Sequence, residues 1–289
     1  RAAREARAAE ERRANAERDR EALRRIEQRR ASVPDVFRPH AELGANVREM
    51  TFGPGMERVA RACLGIQNEA ELRVFAKTMI ADYGTTETFK VEMSRQGDAS
   101  FEVRFRGNKG TQISRIFSKT ANGPTVYHSY FEAGSTGGGS GRHLFRTSMG
   151  LYQAYGIKSV GVSANIDVGG YAWARFGYVA RDWQTLRAGL KRRVEAMAAG
   201  GMRVSTRDQA GNRGSREVAG ISADEKARIL QVLASNDPKT VWAVADMKLN
   251  GRDIGKELLL GTNWKGDIYL DDPDTMARFT AYVTPRGGA

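Results

Sequence analysis

The residues best suited to chemistry lie together in Gly134-Ser-Thr-Gly-Gly-Gly-Ser-Gly141, with Arg142 immediately after. An alternating stretch precedes these glycines and a stretch of helical period follows them. The first amides of a helix have no partner within the helix, and the helix dipole adds partial positive charge, so an anion is favoured there. Glycines let the backbone approach the anion's oxygens closely, and Arg142 can supply a further counter-charge. This is the chemistry of a pyrophosphate cradle. The stretch contains no G-x-x-x-x-G-K-[ST], which rules out a Walker loop. A dinucleotide fold wants an acidic residue at the end of the next strand, about 20 residues on. That strand ends at Val162-Ser-Ala-Asn165, with no acid before Asp167.

Elsewhere the chemical repertoire is thin. Cys63 is the only cysteine, so neither an internal disulfide nor a cysteine zinc cluster can form within one chain. Its apolar setting, Val59-Ala-Arg-Ala-Cys63-Leu64, predicts a buried thiol and not a nucleophile. His40, His128 and His143 lack metal-ligand spacing, and no metal site is expected.

The elements that must position the glycines read as follows. Thr86–Met93, Ser100–Arg106, Gln112–Phe117 and Thr125–Phe131 alternate apolar and polar residues, with Phe101, Val103 and Phe105 sharing one face. Turn signals separate them at Gln96-Gly97-Asp98, Gly107-Asn108-Lys109-Gly110 and Asn122-Gly123-Pro124. The pattern predicts an antiparallel meander of three or four strands. Beyond the glycines, Leu144 to Tyr155 predict a helix capped by Gly156, 157–164 a short buried strand, and Gly169–Phe176 a second helix.

Residues 1–31 are almost all Arg, Ala and Glu, eleven Arg against seven Asp and Glu. With Leu23 and Ile26 nearly the only large apolar residues, they predict a long exposed helix serving as a stalk, linker or weak coiled coil. Pro34 and Pro39 end it. Helices are expected over 56–64 and 69–80, the second capped by Asn68. Past Asp182 the chain reads as mainly helical. Trp183–Ala198 predicts a helix, 199–218 a loop or mobile segment, and Ser222-Ala-Asp-Glu225 opens a helix over 224–234. Asp237-Pro238 and Asp271-Asp-Pro mark further helix starts. The organisation anticipated is a charged helix at 1–32, a helical lead-in at 33–84, a core at 85–185 and a mainly helical region at 186–289.

Three stretches together resemble the Gcn5-related N-acetyltransferase superfamily. Thr136-Gly137-Gly138-Gly139-Ser140-Gly141 followed by Arg142-His-Leu-Phe is similar to its glycine loop. Met149 to Val162 looks like its following helix and strand. Asn165 to Tyr171-Ala-Trp173-Ala-Arg-Phe176-Gly177-Tyr178 resembles its closing signature. The likeness covers about a third of the chain. It implies an α/β fold in which a meander leads into β-loop-α-β-α, with acetyl-CoA as cofactor and direct attack of an amine on its thioester. It implies that Gly137, Gly138, Gly139, Gly141 and Arg142 hold the pyrophosphate, and that main-chain groups of Phe131 and Ala133 pair with the pantetheine arm. His128 and Glu132 share a parity on their strand, and either could take the amine's proton. Trp173 occupies the slot of the tyrosine that protonates the leaving thiolate, with Tyr171 nearby. Thr136 departs from the usual Gln or Arg.

The net charge of +12 is spread along the chain without a dense basic block. It suits a phosphorylated cofactor, a nucleic acid or an anionic surface. Three classes therefore stay open: an N-acyltransferase acting on an unknown amine, a catalytically inactive assembly module of phage type, and a basic nucleic-acid-binding protein. A protein partner could engage the N-terminal helix. No apolar run reaches the roughly 18 residues of a membrane span, so a cytoplasmic or virion setting is expected. A start at Arg1 in place of Met suggests a piece of a longer protein.

Overall fold

The computed structural model describes residues 2–38, 46–81, 83, 87–132, 134, 140–164, 169–207 and 213–284. The protein is a mixed α/β chain that divides into two compact units, Arg1–Ser159 and Val160–Ala289. The division falls inside the stretch anticipated as the core, 85–185.

In the first unit the elements run α1 (Ala2–Arg29), β1 (Val47–Phe52), α2 (Met56–Leu64), α3 (Glu69–Met79), β2 (Phe89–Gly97), β3 (Ser100–Gly107), β4 (Gln112–Thr120), β5 (Gly123–Glu132) and α4 (Ser140–Ala154). The strands lie in the order β1-β2-β3-β4-β5. Each neighbouring pair from β2 to β5 is antiparallel, the meander the alternation predicts. β1 pairs parallel with β2. The sequence predicts a linker and helices over 33–84, and no strand. The half-exposed Val-Arg-Glu-Met-Thr-Phe of β1 is an edge strand, whose weak alternation carries little signal.

The meander's apolar face forms the core. Phe89, Val91, Phe101, Val103, Phe105, Ile113 and Phe117 are all buried there, each large side chain stabilising the fold by roughly 1.5–3 kcal/mol. α2 and α3 cover this face, and Phe75 of α3 meets Phe117 edge-on at 5.2 Å. α4 joins them, with Tyr152 at 5.9 Å from Phe117. Asn68 caps α3 as its sequence predicts, accepting from the Glu71 amide at 3.0 Å.

α1 is the helix that residues 1–31 predict, but its C-terminal half is no stalk. Ala22 and Ile26 are buried, and the helix packs on α3. Asp19 pairs with Arg73 at 3.1 Å and Lys77 at 3.3 Å. Arg29 lies 4.8 Å over the Tyr155 ring, whose hydroxyl donates to buried Glu71 at 3.0 Å. Two apolar residues one turn apart make too narrow a stripe to announce docking in a helix otherwise so charged.

In the second unit follow β6 (Ser159–Ala164, its first residue in the first unit), α5 (Gly169–Phe176), β7 (Val179–Ala180), α6 (Trp183–Ala198), β8 (Gly201–Arg207), β9 (Arg213–Ala219), α7 (Ala223–Val232), α8 (Thr240–Ala245), α9 (Ile254–Leu259), β10 (Trp264–Tyr269) and α10 (Pro273–Val283). The strand order is β6-β10-β7, with β10 and β7 antiparallel. The expected helices are present, including the capping box of Ser222 and Glu225. One expectation fails. The 199–218 stretch is not a loop: β8 and β9 pair as a separate antiparallel ribbon, anchored by buried Val204 and Val218. Among the helices of this region lies one further strand, β10. Trp264 and Ile268 are buried in β10, and Arg181 clasps its Asp267 at 2.6 and 2.9 Å.

Candidate functional site

β5 is irregular where it approaches the glycine-rich stretch. Ser114 of β4 pairs with Tyr130, but its neighbour Arg115 pairs with His128, so Ser129 is an extra residue in the ladder. Such a bulge re-aims the side chains on either side of it. It separates His128 from Glu132, which sequence parity had placed on one face.

His128 stacks on Phe145 of α4 at 5.4 Å, and its Nε2 lies 3.0 Å from the Tyr152 hydroxyl. The ring is buried, and desolvation with the charge of Arg115 pushes its pKa well below the ordinary histidine range. Where it sits, it cannot meet an incoming amine. Glu132 is exposed and accepts from the Tyr130 hydroxyl at 2.6 Å. Of the two proton acceptors proposed from sequence, Glu132 is the accessible one.

Arg115 was missed. It is 0 % exposed on the apolar face of β4, among Phe and Ile neighbours. Its Nη1 donates to the carbonyls of Ser114 and Tyr130, both at 2.9 Å, spanning the bulge. Its guanidinium lies 5.7 Å from the Phe145 ring centre. The one available signal was an arginine at a core-parity position of a strand.

Past β5 the chain is clamped before the glycines begin. The Gly134 amide donates to Thr111 Oγ1 at 3.0 Å, and Thr111 in turn donates to buried Glu87 at 2.5 Å. A Cβ on Gly134 would lie 2.2 Å from the Lys109 carbonyl, so only glycine fits this approach. Ala133, Gly137, Gly138 and Gly139 lie outside the described residues. Gly141 and Arg142 are in the first turn of α4, which holds no acidic residue. Arg142 is exposed, and a Cβ on Gly141 would come 3.6 Å from the ring of Phe131. Phe131 packs in turn on Phe145 at 5.6 Å.

Tyr171 and Trp173 belong to α5, in the second unit. The Tyr171 hydroxyl donates to Asp253 at 3.2 Å and accepts from Arg175 at 3.2 Å. Desolvation raises its pKa, and Asp253 adds to the rise. Trp173 packs against Phe176 and Tyr178 at 5.6 and 5.1 Å. Cys63 is buried, and burial pushes its thiol up to about 12. Among the described residues no three His, Cys, Asp or Glu could hold a metal. No described helix is long and apolar enough to cross a membrane.

No protein-family model matches the chain, and no curated protein matches it.

Proposed function

We propose that this protein is an acetyl-CoA-dependent N-acyltransferase acting on an amine. The observation that carries this reading is the passage from β5 into α4. A bulged last meander strand, clamped at Gly134, runs through a glycine-rich stretch into a helix N-terminus bearing Arg142 and no acid. Unpaired amides, an aligned dipole and an exposed guanidinium suit a pyrophosphate. The residues described fit the group: nothing negative opposes it in the first turn of α4, and Gly141 presents no side chain there.

Bound acetyl-CoA would supply a thioester open to attack by a neutral amine. In this reading Gly137 to Gly141 and Arg142 bind the diphosphate, while Phe131 and Ala133 offer main-chain groups to the pantetheine arm. Glu132, exposed and oriented by Tyr130, takes the amine's proton. His128 and Arg115 hold β5 in its bulged form from behind. Trp173 has no hydroxyl with which to protonate a thiolate. The setting is the cytoplasm, or a virion if the protein is of phage type.

Calorimetric titration of acetyl-CoA into the full chain tests this. Wild type should bind, and Gly141→Asp, which adds charge at the helix start where a Cβ meets the Phe131 ring at an ordinary 3.6 Å, should abolish binding while the circular dichroism stays unchanged. A wild type that does not bind acetyl-CoA sinks the reading and favours the assembly module.

A further inference from the structure

On the side of β3–β5 facing away from the apolar core lies a cleft of about 330 Å³, lined in part by Glu102, Arg104, Arg106, Gln112, Ser129 and Tyr130. Its one carboxylate is saturated. Glu102 is 5 % exposed. Its oxygens accept from Arg104 at 2.8 Å, Gln96 at 2.9 Å and Ser114 at 2.5 Å. Arg104 makes this contact through Nε and Nη2, which leaves Nη1 on the other edge of its guanidinium.

The lining as a whole is positive, two guanidinium groups against one carboxylate. Arg106 stands opposite Gln112 across the β3–β4 ladder, so a guanidinium fork and a side-chain amide are neighbours on one face of the sheet. Both side chains are exposed. Two more carboxylates stand outside the lining. Glu92 of β2 comes no closer to Arg106 than 3.5 Å, long for a hydrogen bond, and both partners are exposed. Such a pair contributes little, and a better-placed anion can take over the guanidinium. Glu132 of β5, opposite Gln112, accepts from the Tyr130 hydroxyl. Ser114 gives its one proton to Glu102, so Ser129 donates inward to Ser114 and adds no proton to the cleft. The Tyr130 ring, half exposed, offers an aromatic face.

We propose that this cleft binds a small aromatic carboxylate. A carboxylate is planar and accepts two parallel hydrogen bonds, the geometry that an arginine fork offers. Arg106 holds it, Gln112 donates beside it, and Arg104 adds a second positive edge. The Tyr130 ring packs on the aromatic body of the ligand. None of this depends on acyl transfer, and the test needs no cofactor.

The experiment titrates the ¹⁵N-labelled full chain with benzoate at constant ionic strength. Benzamide, of the same shape but uncharged, and inorganic phosphate, charged but without an aromatic body, serve as the matched probes. Benzoate should shift the Arg106 Nε–H signal and the amides of Arg106, Gln112 and Tyr130, and each of the other two should shift them less. Arg106→Gln should weaken benzoate binding about tenfold or more, the loss of a charge-assisted fork. Glu92→Gln, which removes the competing carboxylate, should keep or tighten it. Equal shifts from benzamide, tighter binding of phosphate than of benzoate, or no shifts at these groups would overturn the proposal. So would undiminished binding to Arg106→Gln or weakened binding to Glu92→Gln.

Discussion

At the scale of single residues, the behaviour of His128 follows from where β5 places it. Burial, and then the charge of Arg115, push its proton affinity down. Below the ordinary histidine value of about 6.5 the unfolded chain gains a proton that the folded chain refuses. Stability is therefore whole above about pH 6.5 and is lost as the pH falls from there toward the folded value. The steepest loss one such group can cause is about 1.4 kcal/mol per pH unit. Urea unfolding at pH 7, 6 and 5 should show this fall in wild type and a clearly smaller one in His128→Gln, which keeps a polar group near Tyr152. Equal pH slopes in the two proteins would mean that His128 titrates in the fold as it does in the unfolded chain.

At the scale of elements, α1 joins an exposed first half to a docked second half. Ile26 is 0 % exposed, and Asp19 and Arg29 add ionic contacts on either side of it. Ile26→Ala should cost roughly 2–4 kcal/mol, whereas Arg13→Ala, on an exposed turn, should cost about 0.5 kcal/mol or less. Deleting residues 1–31 should lower the thermal midpoint by more than about 5 °C, since each kcal/mol is worth some 2–4 °C in a chain this size. Deleting 1–13 should barely move it. Scanning calorimetry on the two truncations separates a docked helix from a stalk. Equal midpoints in both would restore the stalk that composition alone suggests.

At the scale of the molecule, the chain carries a separate reporter for each compact unit. The single cysteine, Cys63, lies in the first unit, and all four tryptophans, Trp173, Trp183, Trp242 and Trp264, lie in the second. With its thiol held near 12 and its side chain buried, Cys63 should react with a thiol reagent at pH 8 on the order of 10³-fold more slowly than in the unfolded chain. Its labelling in a denaturant series then follows the first unit, and tryptophan emission follows the second. Ile26→Ala should shift the Cys63 labelling midpoint to lower denaturant. Fast labelling of the native protein would show that α2 opens locally without unfolding.

The sequence by itself determined the elements whose signals are local. The meander was legible because Phe101, Val103 and Phe105 alternate with charged residues between glycine turns. The helices at 69–79, 183–198 and 223–232 were legible because Asn68, Asp182 and Ser222 cap them with their own side chains. The glycine-rich stretch with Arg142 was legible as composition, though its central glycines lie outside the described residues. Only the tertiary structure decided the rest. β1 and β10 owe their existence to partners distant in sequence, and the β8–β9 ribbon to a pairing whose buried face is little more than Val204 and Val218. The docking of α1 rests on Ala22 and Ile26 meeting α3. In the candidate site, sequence supplied Glu132, but the single extra residue at Ser129 removed His128 from its face and aligned Ser129 with Ser114 and Glu102. A bulge carries no fixed residue signature, and parity holds only while the ladder stays in register. The burial of Arg115 was equally beyond reach, because its acceptors are main-chain carbonyls that exist only once β4 and β5 have paired.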